Sequence, residues 1–238
     1  MAGAGRLRRR ALLRGATGLL ATSTAGLLAA CAGPDPERAA AGARTVRAAE
    51  VLVLHHAQGL TQGVLALART LQQAGHVVHT PDLYLGRTFQ TLDDGLAYAR
   101  QLGLDELTAR GVRSADRLPA DLVYLGFSLG VLPAQELAQT RAGARGAVLL
   151  EACAPPSEFG SSWPVGVPVQ VHGMSGDPHF AGEGDLAAAR ELVGQARDGA
   201  LYLYPGDHHL FTDSSLPGYD AAAARLVTAR VTAFLASH

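Results

Sequence analysis

The chain has 238 residues, 48% hydrophobic and 17% charged, enough apolar side chain to bury a full core, which excludes wholesale disorder. A net charge of −1 excludes an electrostatic nucleic-acid binder. With only Cys31 and Cys153, a disulfide framework is excluded too.

The charge is unevenly spread. Residues 1–30 hold five arginines and no acid, whereas residues 31–238 hold fifteen arginines against twenty-one acids, a body of net −6. Arg6-Leu7-Arg8-Arg9-Arg10-Ala11-Leu12-Leu13-Arg14 leads into sixteen uncharged residues and then Cys31. A basic run, a weakly apolar stretch and small residues before a cut predict an export signal over 1–30. It is too short and too rich in Gly, Ser and Thr to predict a membrane span. Arg9-Arg10-Ala11-Leu12-Leu13 resembles a twin-arginine motif, and Leu28-Ala29-Ala30-Cys31 resembles the lipobox of bacterial lipoproteins. The resemblance implies cleavage before Cys31, acylation of its thiol and an exported protein whose membrane contact is that lipid. Residues 31–48, with Ala-Gly-Pro-Asp-Pro and no periodicity, predict a flexible tether. The alternative is a start near Ala49 and a cytoplasmic protein.

From residue 49 onward, apolar runs of strand length alternate with segments of helical period. Val51–Leu54 predicts a buried strand, Gly63–Ala74 a helix closed by Gly75, and Val77–His79 a strand ending at Pro81-Asp82. Leu92–Leu102 reads as a helix, Leu122–Gly126 as a strand, and Leu129–Arg141 as a helix. Ala147–Leu150 and Val167–Val171 are further strands, then come a helix over 184–196, the strand Leu201–Tyr204 and a helix over 220–236. Continuous apolar strands between amphipathic helices predict one α/β domain over 49–238, a mostly parallel sheet covered on both faces. Sites in such sheets gather at the carboxyl ends of the strands.

Gly126-Phe127-Ser128-Leu129-Gly130 is G-x-S-x-G between a predicted strand and a predicted helix, the setting of a nucleophile elbow. A sharp turn lifts the serine off the sheet, and the following helix aims its first amides at the same place. A serine hydroxyl needs a histidine base and an acid to orient that base, in the order Ser, Asp, His. Asp177 follows the strand ending at His172-Gly173, and His208-His209 follow the strand ending at Tyr204.

Residues 50–238 resemble the dienelactone hydrolase family of α/β-hydrolases. Pro81-Asp82-Leu83-Tyr84 matches a family signature, and Tyr204-Pro205-Gly206-Asp207-His208-His209-Leu210-Phe211 matches its Tyr-Pro-Gly-x-x-His-x-Phe segment. The resemblance implies an α/β-hydrolase domain that cleaves small esters or lactones through an acyl-enzyme, without a cofactor. It assigns Ser128, Asp177 and His209 as the triad. His55-His56-Ala57-Gln58-Gly59 occupies the family's His-Glu-x-x-Gly loop, which implies that the Ala57 and Leu129 amides form the oxyanion hole. The chain departs from the family at three places. Ser128 replaces the cysteine of its best-known members, and His56 replaces the loop glutamate that tunes that cysteine. Asp213 stands where dienelactone-cleaving members carry an arginine that grips the substrate carboxylate. Facing the pocket, Asp213 would repel an anionic substrate and favour a neutral one.

His56, His208 and Arg87 are the other candidates for the substrate pocket, with a solvated loop as the alternative for Arg87 and His208. Asp185 and Asp207 are rival triad acids, Glu151 a second pocket carboxylate, and Trp163 a lid or pocket wall. Cys153 reads as a small core residue, with a nucleophile as the alternative. No metal is predicted, because nine histidines show no ligating spacing and adjacent histidines on a strand end point apart. No glycine-rich turn after the first strand cradles a phosphate. The expected function is therefore a serine hydrolase. Its rivals are a non-catalytic ligand-binding surface lipoprotein and an acyltransferase that passes the acyl group to an alcohol.

Overall fold

The computed structural model describes residues 48–160 and 162–238. The export signal, Cys31 and all of the tether but its last residue lie outside the described residues.

Six strands make one parallel sheet: β1 (Glu50–Leu54), β2 (Val77–His79), β3 (Leu122–Phe127), β4 (Gly146–Leu150), β5 (Val169–Met174) and β6 (Gly199–Tyr204). Their order is β2-β1-β3-β4-β5-β6, every neighbouring pair parallel. β3 is buried at each of its positions because it has neighbours on both edges and helices on both faces. Alternation then sorts its side chains. Val51, Val53, Val123, Leu125 and Phe127 pack with α1 (Gln62–Gln73) and α6 (Ala221–Ser237). Leu52, Leu54, Tyr124 and Leu149 pack on the other face with α2 (Leu92–Leu102), α3 (Leu104–Arg113), α4 (Val131–Thr140) and α5 (Asp185–Gln195).

The helix starts follow side-chain chemistry. Thr61, Thr91 and Asp220 accept first-turn amides of α1, α2 and α6, satisfying donors that a helix leaves unpaired. Helix α3 is absent from the sequence reading. Gly103, at φ +91°, ends α2 and starts α3 at once, so no loop residues announce a new element. Strand β5 starts two residues later than expected, at Val169, where Pro168 supplies only its carbonyl to Ala147 N, at 3.0 Å.

From β1 the chain turns outward to β2, then crosses back to β3 on the other side of β1. The chain therefore leaves the carboxyl ends of β1 and β3 toward opposite faces of the sheet, and the crevice between those connections is where open α/β sheets place their sites. Among the described residues, no helix is long and apolar enough to cross a membrane.

Candidate active site

Ser128 directly follows β3 and has φ +44°, a left-handed conformation that costs a residue with a Cβ roughly 1–2 kcal/mol. The two glycines beside it are required by space. A Cβ on Gly126 would stand 2.4 Å from the Gly130 carbonyl oxygen, and one on Gly130 would stand 2.3 Å from the Leu54 carbonyl oxygen. Their absence lets the elbow close on itself and press against the end of β1. Ser128 is left half-buried at the crevice, ahead of α4.

Two loops bring it partners. Ser128 Oγ lies 2.8 Å from His209 Nε2, and His209 Nδ1 lies 2.7 Å from Asp177 Oδ2. Asp177 is fully buried, and its other oxygen accepts the His179 amide at 2.9 Å. A carboxylate only accepts, so His209 Nδ1–H donates to it and Nε2 is left to accept the serine hydroxyl. Burial lowers the His209 pKa, but the Asp177 hydrogen bond and the charges of Glu151, Asp177 and Asp185 outweigh it and raise it above its ordinary value. Of the two adjacent histidines, His209 is 10% exposed and His208 is 65% exposed, so only His209 faces inward.

The turn after β1 holds Ala57. His56 O accepts the Gly59 amide at 3.0 Å, and His56 Nδ1 accepts the Gln58 amide at 3.1 Å. Gly95 of α2 lets that helix approach, since a Cβ there would meet the Ala57 carbonyl oxygen at 2.3 Å. Leu129 follows Ser128 in the elbow. A cavity of about 370 Å³ opens beside Ser128, Leu129 and His209. Leu92 and Leu96 of α2, Val131 and Leu132 of α4, and Pro155 give it an apolar wall. Glu151, His179, Glu183, Asp185 and Arg100 add polar and ionisable side chains to the lining.

Four expected pocket residues lie elsewhere. His56 and Asp213 have no exposed surface and bond to each other, Nε2 to Oδ2 at 2.8 Å. Burial pushes the Asp213 pKa up, but hydrogen bonds from His56, Ser215 and Thr61 outweigh that and hold it at about 2. Arg87 is exposed and lies over the Tyr98 ring, 5.2 Å from its centroid, outside the cavity lining. His208 is turned to solvent beside Asp207, which is likewise exposed, and the acid bonded to His209 is Asp177. Trp163 is neither lid nor wall but core, its indole N–H donating to Val167 O at 2.8 Å.

Of the rival acids, Asp185 lines the cavity and accepts the Cys153 amide at 3.0 Å, with burial raising its pKa. Cys153 is buried at the cavity wall, and burial pushes its thiol pKa far up, the opposite of a reactive cysteine. Glu151, fully buried at φ +66° just past β4, accepts the Thr212 amide and hydroxyl at 3.0 and 2.7 Å. That clamp ties the end of β4 to the loop carrying His209. The sequence reading missed Leu92, Leu96, Arg100, His179 and Glu183. Leu92 and Leu96 recur at helical spacing, as core residues do, and no further signal marked them.

A parallel sheet in this order, with a serine on the strand-to-helix turn after β3 and a histidine after β6, defines an α/β hydrolase. Within that class the chain belongs to the dienelactone hydrolase family, whose model matches residues 38–238. Solved structures with the same fold include a dienelactone hydrolase-like promiscuous phosphotriesterase from metagenomic libraries, at 20% identity and a TM-score of 0.63 over 79% of this chain and 86% of that one. A dienelactone hydrolase of Anabaena variabilis gives 19% identity and a TM-score of 0.57, over 80% and 87%. A monoacylglycerol lipase of Paleococcus ferrophilus gives 15% and 0.56, over 79% and 94%. Comparison with curated proteins found no match.

Proposed function

We propose that the protein is a serine hydrolase cleaving esters or lactones of small molecules through an acyl-enzyme on Ser128. The observation that carries this reading is the hydrogen-bonded chain from Ser128 through His209 to Asp177, at 2.8 and 2.7 Å, beside an open cavity. Membership of a hydrolase family supports it. His209 Nε2 takes the hydroxyl proton as Ser128 Oγ attacks the acyl carbon, then returns it to the leaving alcohol. Asp177 holds the imidazole in the tautomer this needs. The Ala57 and Leu129 amides take the charge that develops on the carbonyl oxygen. Water then attacks the acyl-enzyme by the same route, releasing acid and free serine. Hydrolysis of a p-nitrophenyl ester, with labelling of Ser128 by a fluorophosphonate probe, tests the reading. A wild-type protein inert to both overturns it.

The cavity sets the expected substrate charge. Glu183 and Asp185 line it against one guanidinium, that of Arg100, while burial raises the pKa of Glu151 behind them, so a substrate carboxylate meets more acids than bases. One such carboxylate pair at about 4 Å costs roughly 1–4 kcal/mol at surface to partly buried dielectrics. A neutral ester should exceed its carboxylate-bearing counterpart of equal size by about tenfold or more in kcat/KM. A wild-type preference for the anionic ester would overturn this.

The leader belongs to the same proposal. Cys31 at the end of Leu28-Ala29-Ala30 is read as the acylated first residue of a lipid-anchored, exported enzyme. Cys31→Ser should release the protein from membranes or leave the leader uncut, as fractionation and N-terminal mass spectrometry would show. A mature N-terminus near Ala49 in a cytosolic protein overturns the anchor and leaves the hydrolase reading untouched.

A further inference from the structure

Two of the three departures from the family's sequence pattern, His56 and Asp213, are 157 residues apart and hydrogen-bonded to each other. We infer that they form a buried positioning pair that fixes the Ala57 amide of the oxyanion turn. This rests on the proposal that Ala57 N–H stabilises the oxyanion.

The bonding leaves one arrangement of protons. His56 Nδ1 accepts the Gln58 amide at 3.1 Å, so its proton sits on Nε2, which donates to Asp213 Oδ2 at 2.8 Å. Asp213 Oδ1 accepts from the Ser215 amide and hydroxyl at 2.8 and 2.6 Å, and Oδ2 accepts from Thr61 Oγ1 as well. Four donors on one carboxylate fit its ionised form, and agree with a pKa held at about 2. The space for it is built in. A Cβ on Gly63 would lie 1.7 Å from Asp213 Oδ1, and Gly63 N donates to Ser215 Oγ at 3.1 Å.

The consequence is on the backbone. In a trans peptide the C=O of one residue and the N–H of the next point opposite ways in one rigid plane. His56 O accepts from His55 Nδ1 at 2.8 Å and from Gly59 N at 3.0 Å, which fixes the plane carrying the Ala57 N–H. The His56 ring, by holding the Gln58 N–H, fixes the next plane. The Ala57 Cα is thus gripped on both sides, and Asp213 keeps the gripping ring from rotating. Aspartate and histidine at these positions act together on the turn. Neither touches the cavity.

The test measures kcat, KM and the affinity for an alkyl boronic acid, which mimics the tetrahedral state, together with Tm. The variants are His56→Leu, His56→Asn and Asp213→Asn. His56→Leu, which releases the Gln58 amide, should lower kcat by about 10- to 100-fold, part of the loss for a whole oxyanion donor. Its boronate affinity should fall in parallel and its KM should stay within about threefold, as for an interaction made in the transition state. His56→Asn, whose Oδ1 can accept the Gln58 amide, should regain most of the loss. Asp213→Asn should fall between the two. A drop in Tm with kcat and boronate affinity unchanged would make the pair structural only and overturn the inference. So would a His56→Asn variant no better than His56→Leu. Should His56→Leu fail to fold, wild-type kcat and boronate affinity in Asp213→Asn overturn it alone. A wild-type protein that neither turns over ester nor reacts with the fluorophosphonate instead removes the hydrolase reading itself.

Discussion

Ser128→Ala is expected to abolish acyl-enzyme formation, with a loss of about 10³-fold or more in kcat/KM on a p-nitrophenyl ester and no change of fold. The side chain removed is one oxygen whose hydrogen bond is to His209, and alanine meets the same φ of +44° as serine does. Stability should therefore change little while chemistry stops. His209→Ala should lose nearly as much, because nothing else lies within hydrogen-bonding reach of Ser128 Oγ to take its proton, among the described contacts. His208→Ala is the control that decides between neighbours. Its ring is 65% exposed and turned toward Asp207, so its loss should stay within about threefold, as for a surface site. Steady-state kinetics and thermal melts of the three variants check this. A His208→Ala variant more impaired than His209→Ala would reverse the assignment of the base.

The parts of this molecule that were legible in its sequence are those where one physical cause leaves one pattern. Val51–Leu54 and Leu122–Gly126 are uninterrupted apolar runs because a central parallel strand has no polar face, and both are strands. Gly126-Phe127-Ser128-Leu129-Gly130 showed the elbow because only glycine fits against the Gly130 and Leu54 carbonyls. Ser128, Asp177 and His209, taken from strand ends in order, do meet in one hydrogen-bonded chain. What failed depended on direction and on distant partners. His56 is adjacent to a strand end, as pocket residues are, but its ring turns inward to an aspartate 157 residues away. Asp213 was read through the arginine it replaces, whereas its surroundings are set by Gly63, Thr61 and Ser215. A carboxylate that finds four donors inside the protein has no reason to face the cavity. The cavity wall on α2 was illegible for a different reason. Leu92 and Leu96 look the same in sequence whether they cover a core or line a hollow.

Asp177→Asn should cost about 10⁴-fold at neutral pH while keeping the shape of the site. The acid accepts from His209 Nδ1 at 2.7 Å and so fixes the tautomer that leaves Nε2 free to take the serine proton. Asparagine can turn its NH₂ toward Nδ1, which moves the ring proton to Nε2 and blocks the transfer. The pH profile gives the second readout. In the proposed mechanism activity needs the neutral imidazole, so kcat/KM should rise with pH through the His209 pKa. In the wild type, burial pulls that pKa down, but the Asp177 bond and the Glu151, Asp177 and Asp185 charges raise it above 6.5, and the acid limb should lie there. Asp177→Asn removes both contributions of Asp177 while Glu151 and Asp185 remain, so the limb of the residual activity should move to lower pH. Measuring kcat/KM from about pH 5 to about pH 9 covers both limbs' positions. A wild-type limb below 6.5, or one unmoved in the variant, would mean that the titrating base is not the imidazole held by Asp177.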